Sequence, residues 1–331
     1  MRSFLTPVAG LTCLFALAAT GCSSMSDGTS DAAPKAPESS TSYAPYVSAT
    51  TASGTDSAGS PATYNLAFVI SGGSGCTPEW DGMMGLDDAE VKSRIRKLRK
   101  SGATVRVSFG GASGKELATT CANASALADA YGKALDAARS TQADFDIEGR
   151  TLTDSASVDL RSRAIALLQK RHPGLEVSFT LPVMPSGLDS HGLALLESAN
   201  VHDVQVSTVN LMTMNYAESY TGDMGDYALT AAKAAHAQLK KVFGLSNAAA
   251  WEGMALTSMI GANDIAGETF TLEDAAQVRS FAEEKRIAWV SMWSTFRDRQ
   301  CEKGVPSRED AATDCSGVKQ KPGAFARTLG G

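Results

Sequence analysis

The chain has 331 residues and carries 30 Lys and Arg against 36 Asp and Glu, a formal charge of −6 at pH 7. That mild acidity, with no dense Lys/Arg run, excludes nucleic acid and anionic membrane surfaces as natural partners. The length suits one large domain or two small ones, and a monomer is expected.

Residues 1–21 read as an export signal. Arg2 supplies a positive end, 11–18 is an apolar run too short to span a bilayer, and small residues follow. The run ends Ala19-Thr20-Gly21-Cys22, which resembles a bacterial lipoprotein signal. In such signals the cysteine is lipidated and becomes the mature N-terminus. Ala19 stands where a larger aliphatic residue is usual. Cys22 is the expected lipidation site, with plain secretion as the alternative. Residues 22–42 are rich in Ser, Asp, Pro, Thr and Ala and nearly devoid of large apolar side chains. Such a stretch cannot bury enough surface to fold and reads as a flexible tether. A lipid anchor and tether would hold the remaining domain, 43–331, at the outer face of the cytoplasmic membrane.

Cys13 would leave with the signal, and the domain keeps Cys76, Cys121, Cys301 and Cys315. An even set of four in an exported protein suggests two disulfides. Cys301 and Cys315 lie close together in a loop-like segment and are paired, which leaves Cys76 with Cys121. Zinc is the alternative, but no CxxC spacing is present. The four histidines, His172, His191, His202 and His236, are scattered without an HExxH. Neither a cofactor nor a catalytic metal is expected.

From there the pattern is short apolar strands alternating with helices. Strands are predicted at 45–49, 65–70, 104–109, 143–148, 176–181, 208–214, 254–259 and 287–293. Helices are predicted at 87–100, 125–140, 157–170, 193–198, 227–242 and 272–285, with Gly and Pro at the joins. Eight strands with intervening helices predict an α/β fold, a single parallel (β/α)₈ TIM barrel. A doubly wound sheet is the competitor, weakened by the absence of GxGxxG after the first strand. In a barrel the chemistry sits at the C-terminal strand ends, so unusual polar and aromatic residues should collect there.

They do. The third strand ends Ser108-Phe109-Gly110-Gly111, where paired glycines allow a tight turn or a close neighbour. The fourth reads Ala143-Asp144-Phe145-Asp146-Ile147-Glu148-Gly149. Strand side chains alternate between faces, so the three carboxyls share one face, about 6.6 Å apart along the strand. Phe145 and Ile147 face the other way. Lining up three carboxyls on a buried strand is costly, because each is desolvated and each opposes its neighbours' ionisation. That cost points to function. The sixth strand ends Met212-Thr213-Met214-Asn215-Tyr216, and the seventh runs into Gly261-Ala262-Asn263-Asp264. On the eighth, Trp289, Ser291 and Trp293 share a face, and the terminal indole suits a platform for a sugar ring.

Together these residues resemble family 18 glycoside hydrolases, which include many chitinases. The family's DxDxE is here Asp144-Asp146-Glu148. It is accompanied by SxGG on strand three, Met-x-Tyr on strand six and a tryptophan closing strand eight. The resemblance runs from about residue 42 to the end. The stretches 257–264 and 315–320 look like the bacterial and archaeal branch with an ADFDIE-like core. Three departures stand out: Thr141-Gln142 where Asp-Gly is common, Asn215 where the related branch often has Asp, and Ala217 where many members have Asp after the tyrosine.

The resemblance implies retaining hydrolysis of β-1,4-linked N-acetylglucosamine chains, with chitin or chito-oligosaccharides as substrate. In this family the substrate's own acetamido group is the nucleophile. Glu148 is then the general acid and base. Asp146 orients the acetamido N–H, Asp144 shares a proton with Asp146, and Tyr216 steadies the acetamido oxygen. Trp293 forms the floor, with a cis peptide to Ser294 expected. Ser108, Gly110, Gly111, Met214, Asn215 and Asp264 are the remaining expected substrate contacts. Two alternatives stay open. One is an endo-β-N-acetylglucosaminidase acting on other glycans. The other is a surface lipoprotein that binds chito-oligosaccharides without cleaving them.

Overall fold

The computed structural model describes residues 41–73, 75–302 and 314–331. The expected signal, Cys22 and the tether as far as residue 40 lie outside the described residues. Residues 41 and 42, expected in the tether, already belong to the folded domain: the Thr41 hydroxyl donates to the Ala282 carbonyl at 3.0 Å, and Ser42–Tyr43 pairs with the last barrel strand.

Eight strands form the barrel: β1 (Tyr46–Ser48), β2 (Thr63–Ser71), β3 (Thr104–Gly110), β4 (Gln142–Asp146), β5 (Glu176–Pro182), β6 (Thr208–Met212), β7 (Met254–Met259) and β8 (Trp289–Trp293). Neighbours from β2 to β8 pair in parallel, in sequence order. The 42–48 segment closes the ring. Ser42–Tyr43 pairs with Trp289 and Val290, and beyond Pro45 the chain crosses to pair β1 with β2. Pro45 has no N–H for a ladder, which accounts for the split first strand. The α-helices of the described residues are α1 (Ala89–Leu98), α2 (Ala124–Ala138), α3 (Gly149–Thr153), α4 (Ser155–Arg171), α5 (Ser190–Val201), α6 (Met224–Phe243), α7 (Asn247–Glu252), α8 (Leu272–Lys285) and α9 (Ala324–Gly330). Two antiparallel hairpins also escape the period-based reading, Pro78–Trp80 with Met84–Gly85 and Gly261–Ala262 with Thr269–Phe270. Their strands are too short to show a period.

The two faces of the barrel wall differ in chemistry. Outward residues form the greasy layer under the helices. Phe109 stacks on Phe145 at 5.2 Å, and Tyr131 and Phe179 pack against Phe145. Inward residues are polar: Ser108, Asp144, Ser178, Thr180, Asn210 and Thr257 are all buried. The outer layer supplies the hydrophobic drive to fold, which leaves the interior free for a hydrogen-bonded site.

Two devices hold the strand-end loops. Disulfides join Cys76 to Cys121 and Cys301 to Cys315, the pairing expected from the sequence, with Cα separations of 4.5 and 4.9 Å. Such bonds fit a protein that matures in an oxidising compartment. The loop after β3 is also pinned by a buried ion pair, Arg161 to Glu116 at 2.6 Å. Glu116 accepts from the Tyr131 hydroxyl and the Ala118 N–H as well. Removing one partner of a buried pair strands the other charge, so Glu116→Ala should cost about 3–5 kcal/mol of stability. A chemical denaturation midpoint equal to that of the wild type would overturn this reading.

Candidate active site

The C-terminal strand ends surround a cavity of about 640 Å³, within the range of small-ligand sites. Of the residues singled out in the sequence, Asp146, Glu148, Met214, Asn215, Asp264 and Trp293 line it. Tyr46, Phe68, Asp81, Thr180, Met212, Thr257, Met259 and Phe296 line it too, and sequence reasoning had not picked these out as site residues.

Strand β4 ends at Asp146, two residues earlier than predicted. The Ile147 N–H still bonds the Thr180 carbonyl at 3.0 Å, so the alternation carries past the ladder's formal end. Glu148 sits beyond it, at the start of α3, and is only partly exposed.

Asp144 lies beneath the cavity and is fully buried. Its Oδ1 accepts from Ser178 at 2.8 Å and Thr180 at 2.7 Å, and its Oδ2 from Tyr46 at 2.9 Å and Ser108 at 2.6 Å. The donors are themselves oriented: Asn210 Nδ2 donates to Thr180 at 2.9 Å, and Thr257 donates to Asn210 Oδ1 at 2.9 Å. Tyr46 and Thr180 also lie 2.9 Å from each other, so the four hydroxyls form one network around both Asp144 oxygens. No hydrogen bond joins Asp144 to Asp146.

Asp146 is in the opposite position. It is buried, and its Oδ1 has no hydrogen-bond partner. Burial first, then the charges of Glu148 and Asp144, push its carboxyl well above the usual carboxylate range. Glu148 is also pushed up, by burial and then by the charge of Asp264. Glu148 and Asp144 are thus the two charges that act on Asp146, and Asp264 the one that acts on Glu148.

The floor is aromatic. Trp293 stacks on Phe68 with centroids 5.5 Å apart, and Tyr46 and Phe296 meet it edge-on at 5.8 and 6.0 Å. The Trp293–Ser294 peptide is cis, as expected, and so is Ala67–Phe68.

Four expected contacts lie elsewhere. Ser108 is buried and donates to Asp144. Gly110 and Gly111 have φ of +99° and +89°. A Cβ on Gly110 would lie 2.2 Å from the Asp146 carbonyl, and one on Gly111 would lie 2.7 Å from the Phe68 ring. These glycines let β3 press against β4 and the floor, and it is their successors Ala112 and Ser113 that reach the cavity. Tyr216 is buried among Tyr220 and Tyr227 and is not among the lining residues. Strand β6 ends at Met212 and Asn215 has φ +54°, so the alternation that would have aimed Tyr216 inward is broken. Asn215 faces the cavity instead and forms a reciprocal pair with Asp264, Nδ2 to Oδ2 at 2.9 Å and the Asp264 N–H to Oδ1 at 3.0 Å. Glu268 fixes this turn by accepting the Ala217 N–H at 3.0 Å.

An eight-stranded barrel with coupled carboxyls over an aromatic floor defines a glycosidase-type site. No family model matches the chain. It is 33% identical over 275 residues to a probable bifunctional chitinase/lysozyme of Escherichia coli (strain K12), an alignment covering 77% of this chain and 31% of that protein. Endochitinase 11 of Metarhizium anisopliae is 32% identical over 274 residues, covering 77% of this chain and 52% of that one. The chain thus spans about a third to a half of the length of these curated relatives. Among solved structures, the catalytic domain of a hyperthermophilic chitinase from Pyrococcus furiosus superposes with a TM-score of 0.76 at 30% identity, covering 87% of this chain and 93% of that domain. The chain belongs to the family 18 glycoside hydrolases.

Proposed function

We propose that the chain hydrolyses chitin and chito-oligosaccharides with retention at the anomeric carbon. The observation that carries this reading is the Asp146–Glu148 pair lining the cavity over Trp293, with the Glu148 carboxyl raised by burial and Asp264. A carboxyl kept protonated near neutral pH is what a general acid needs. Glu148 protonates the glycosidic oxygen. The acetamido oxygen of the sugar over Trp293 attacks the anomeric carbon and forms an oxazolinium ion. Asp146 accepts the acetamido N–H with its unpartnered oxygen and offsets the growing positive charge. Glu148 then takes a proton from the water that opens the ring. Asp144 acts from below, holding the interior hydroxyls and adding negative charge beside Asp146. The similarity to proteins named as chitinases supports the substrate class. The test is the product pattern from N-acetylglucosamine tetramer and hexamer. Short β-anomeric products from the wild type support the reading, and intact substrate overturns it.

The domain is exported and tethered, with residues 1–21 removed and a lipid on Cys22. Cys22→Ala should move the protein from the membrane fraction to the medium. Equal membrane association in the two would exclude the anchor and leave plain secretion.

A further inference from the structure

Asp81 lies on the turn between Pro78–Trp80 and Met84–Gly85 and lines the cavity. It has no part in the proton chemistry above. Its Oδ1 accepts the Phe68 backbone N–H at 3.1 Å, and its Oδ2 accepts the Thr50 hydroxyl at 2.7 Å. These two bonds fix the carboxylate and leave each oxygen capacity for another donor. Phe68, whose amide holds it, is the residue stacked on Trp293. Asp81 is thus a preoriented acceptor beside the aromatic floor.

The rest of the wall gives this acceptor a direction. Asp81, Asp146, Glu148 and Asp264 line the cavity, and among the described residues no Lys, Arg or His does. Asp146 is 5% exposed and carries an unpartnered oxygen, so the wall is built to receive donors from a ligand. Arg297 acts on the charge of Asp264, and Asp146 and Glu148 are both raised, so Asp81 is the wall's carboxylate left to attract a positively charged sugar and repel an anionic one. A chitin chain gains a positive charge wherever a unit has lost its acetyl group.

We propose that Asp81 is a specificity-determining residue that binds the ammonium of a glucosamine unit in a partly deacetylated chain, at the position adjoining the sugar over Trp293. This rests on the chitinase reading. The test compares the full chain with Asp81→Asn, whose amide oxygen can still accept the Phe68 N–H, on a fully acetylated hexamer and a partly deacetylated oligomer of equal length. The variant raises KM about tenfold for the deacetylated oligomer and changes it less than about twofold for the acetylated one, the scale of losing one charged hydrogen bond. The readout is the ratio of kcat/KM between the two oligomers, because any loss of support for Phe68 falls on both alike. Asp81→Glu, which keeps the charge, restores the preference, and added salt weakens it in the wild type. Equal KM changes on both substrates, or none, overturn the proposal. Hydrolysis of neither oligomer by the wild type overturns the chitinase reading instead. Calorimetric binding of the same two oligomers then tests Asp81 alone.

Discussion

Glu148→Gln should lower kcat on chito-oligosaccharides by about 10²–10⁴-fold, the contribution of a well-placed general acid, while substrate binding is largely kept. Gln preserves the size of the side chain and leaves the aromatic floor intact, so the loss falls on chemistry. The same substitution should stabilise the fold at neutral pH. The Glu148 carboxyl is raised in the folded protein, by burial and by Asp264, so the folded state holds this proton more tightly than the unfolded chain. Its favourable contribution is complete below the ordinary glutamate range and is lost as pH rises through the folded value. At pH 7 the wild type bears that loss and the Gln variant does not. Melting temperatures should differ at pH 7 in favour of Glu148→Gln and converge near pH 3–4. Activity of the wild type should fall along an alkaline limb as Glu148 loses its proton. Near-normal hydrolysis by Glu148→Gln would sink the assignment of the acid. A lower melting temperature for the variant at pH 7 would show that Glu148 is not held protonated by its surroundings.

The fold was legible in the sequence because parallel barrel strands are short and apolar, and Gly and Pro punctuate them. The carboxyls of β4 were legible for a different reason: a period of two is a local property, and Asp144, Asp146 and Glu148 carry it within five residues. What stayed hidden depends on register between distant strands. Nothing near Tyr46 in the sequence says that its hydroxyl meets Asp144, 98 positions away. Asp81 reaches the cavity only because a hairpin folds back along β2. Tyr216 shows the reverse failure. Its spacing from Met212 and Met214 suits one strand face, but the chain leaves the strand at Met212 and turns through a positive φ at Asn215. Local periodicity holds only while the ladder lasts, and at this strand end the backbone turn decides which side chain enters the site.

Asp146→Asn should lower kcat by about 10²–10³-fold, comparable to losing one preorganised electrostatic group at a reacting centre. Asn retains an oxygen that can accept the acetamido N–H, so orientation survives in part and the charge is lost. Without the charge, the oxazolinium ion is less well offset than the neutral bound substrate, so the effect appears in kcat more than in KM. Burial and Asp264 hold the Glu148 carboxyl up, so the alkaline limb should stay close to its wild-type position. A limb moved clearly to lower pH in Asp146→Asn would mean that the Asp146 charge, beside burial and Asp264, holds Glu148 up. In the double variant with Glu148→Gln the losses should not add, because a substrate that is never protonated builds up no charge for Asp146 to offset.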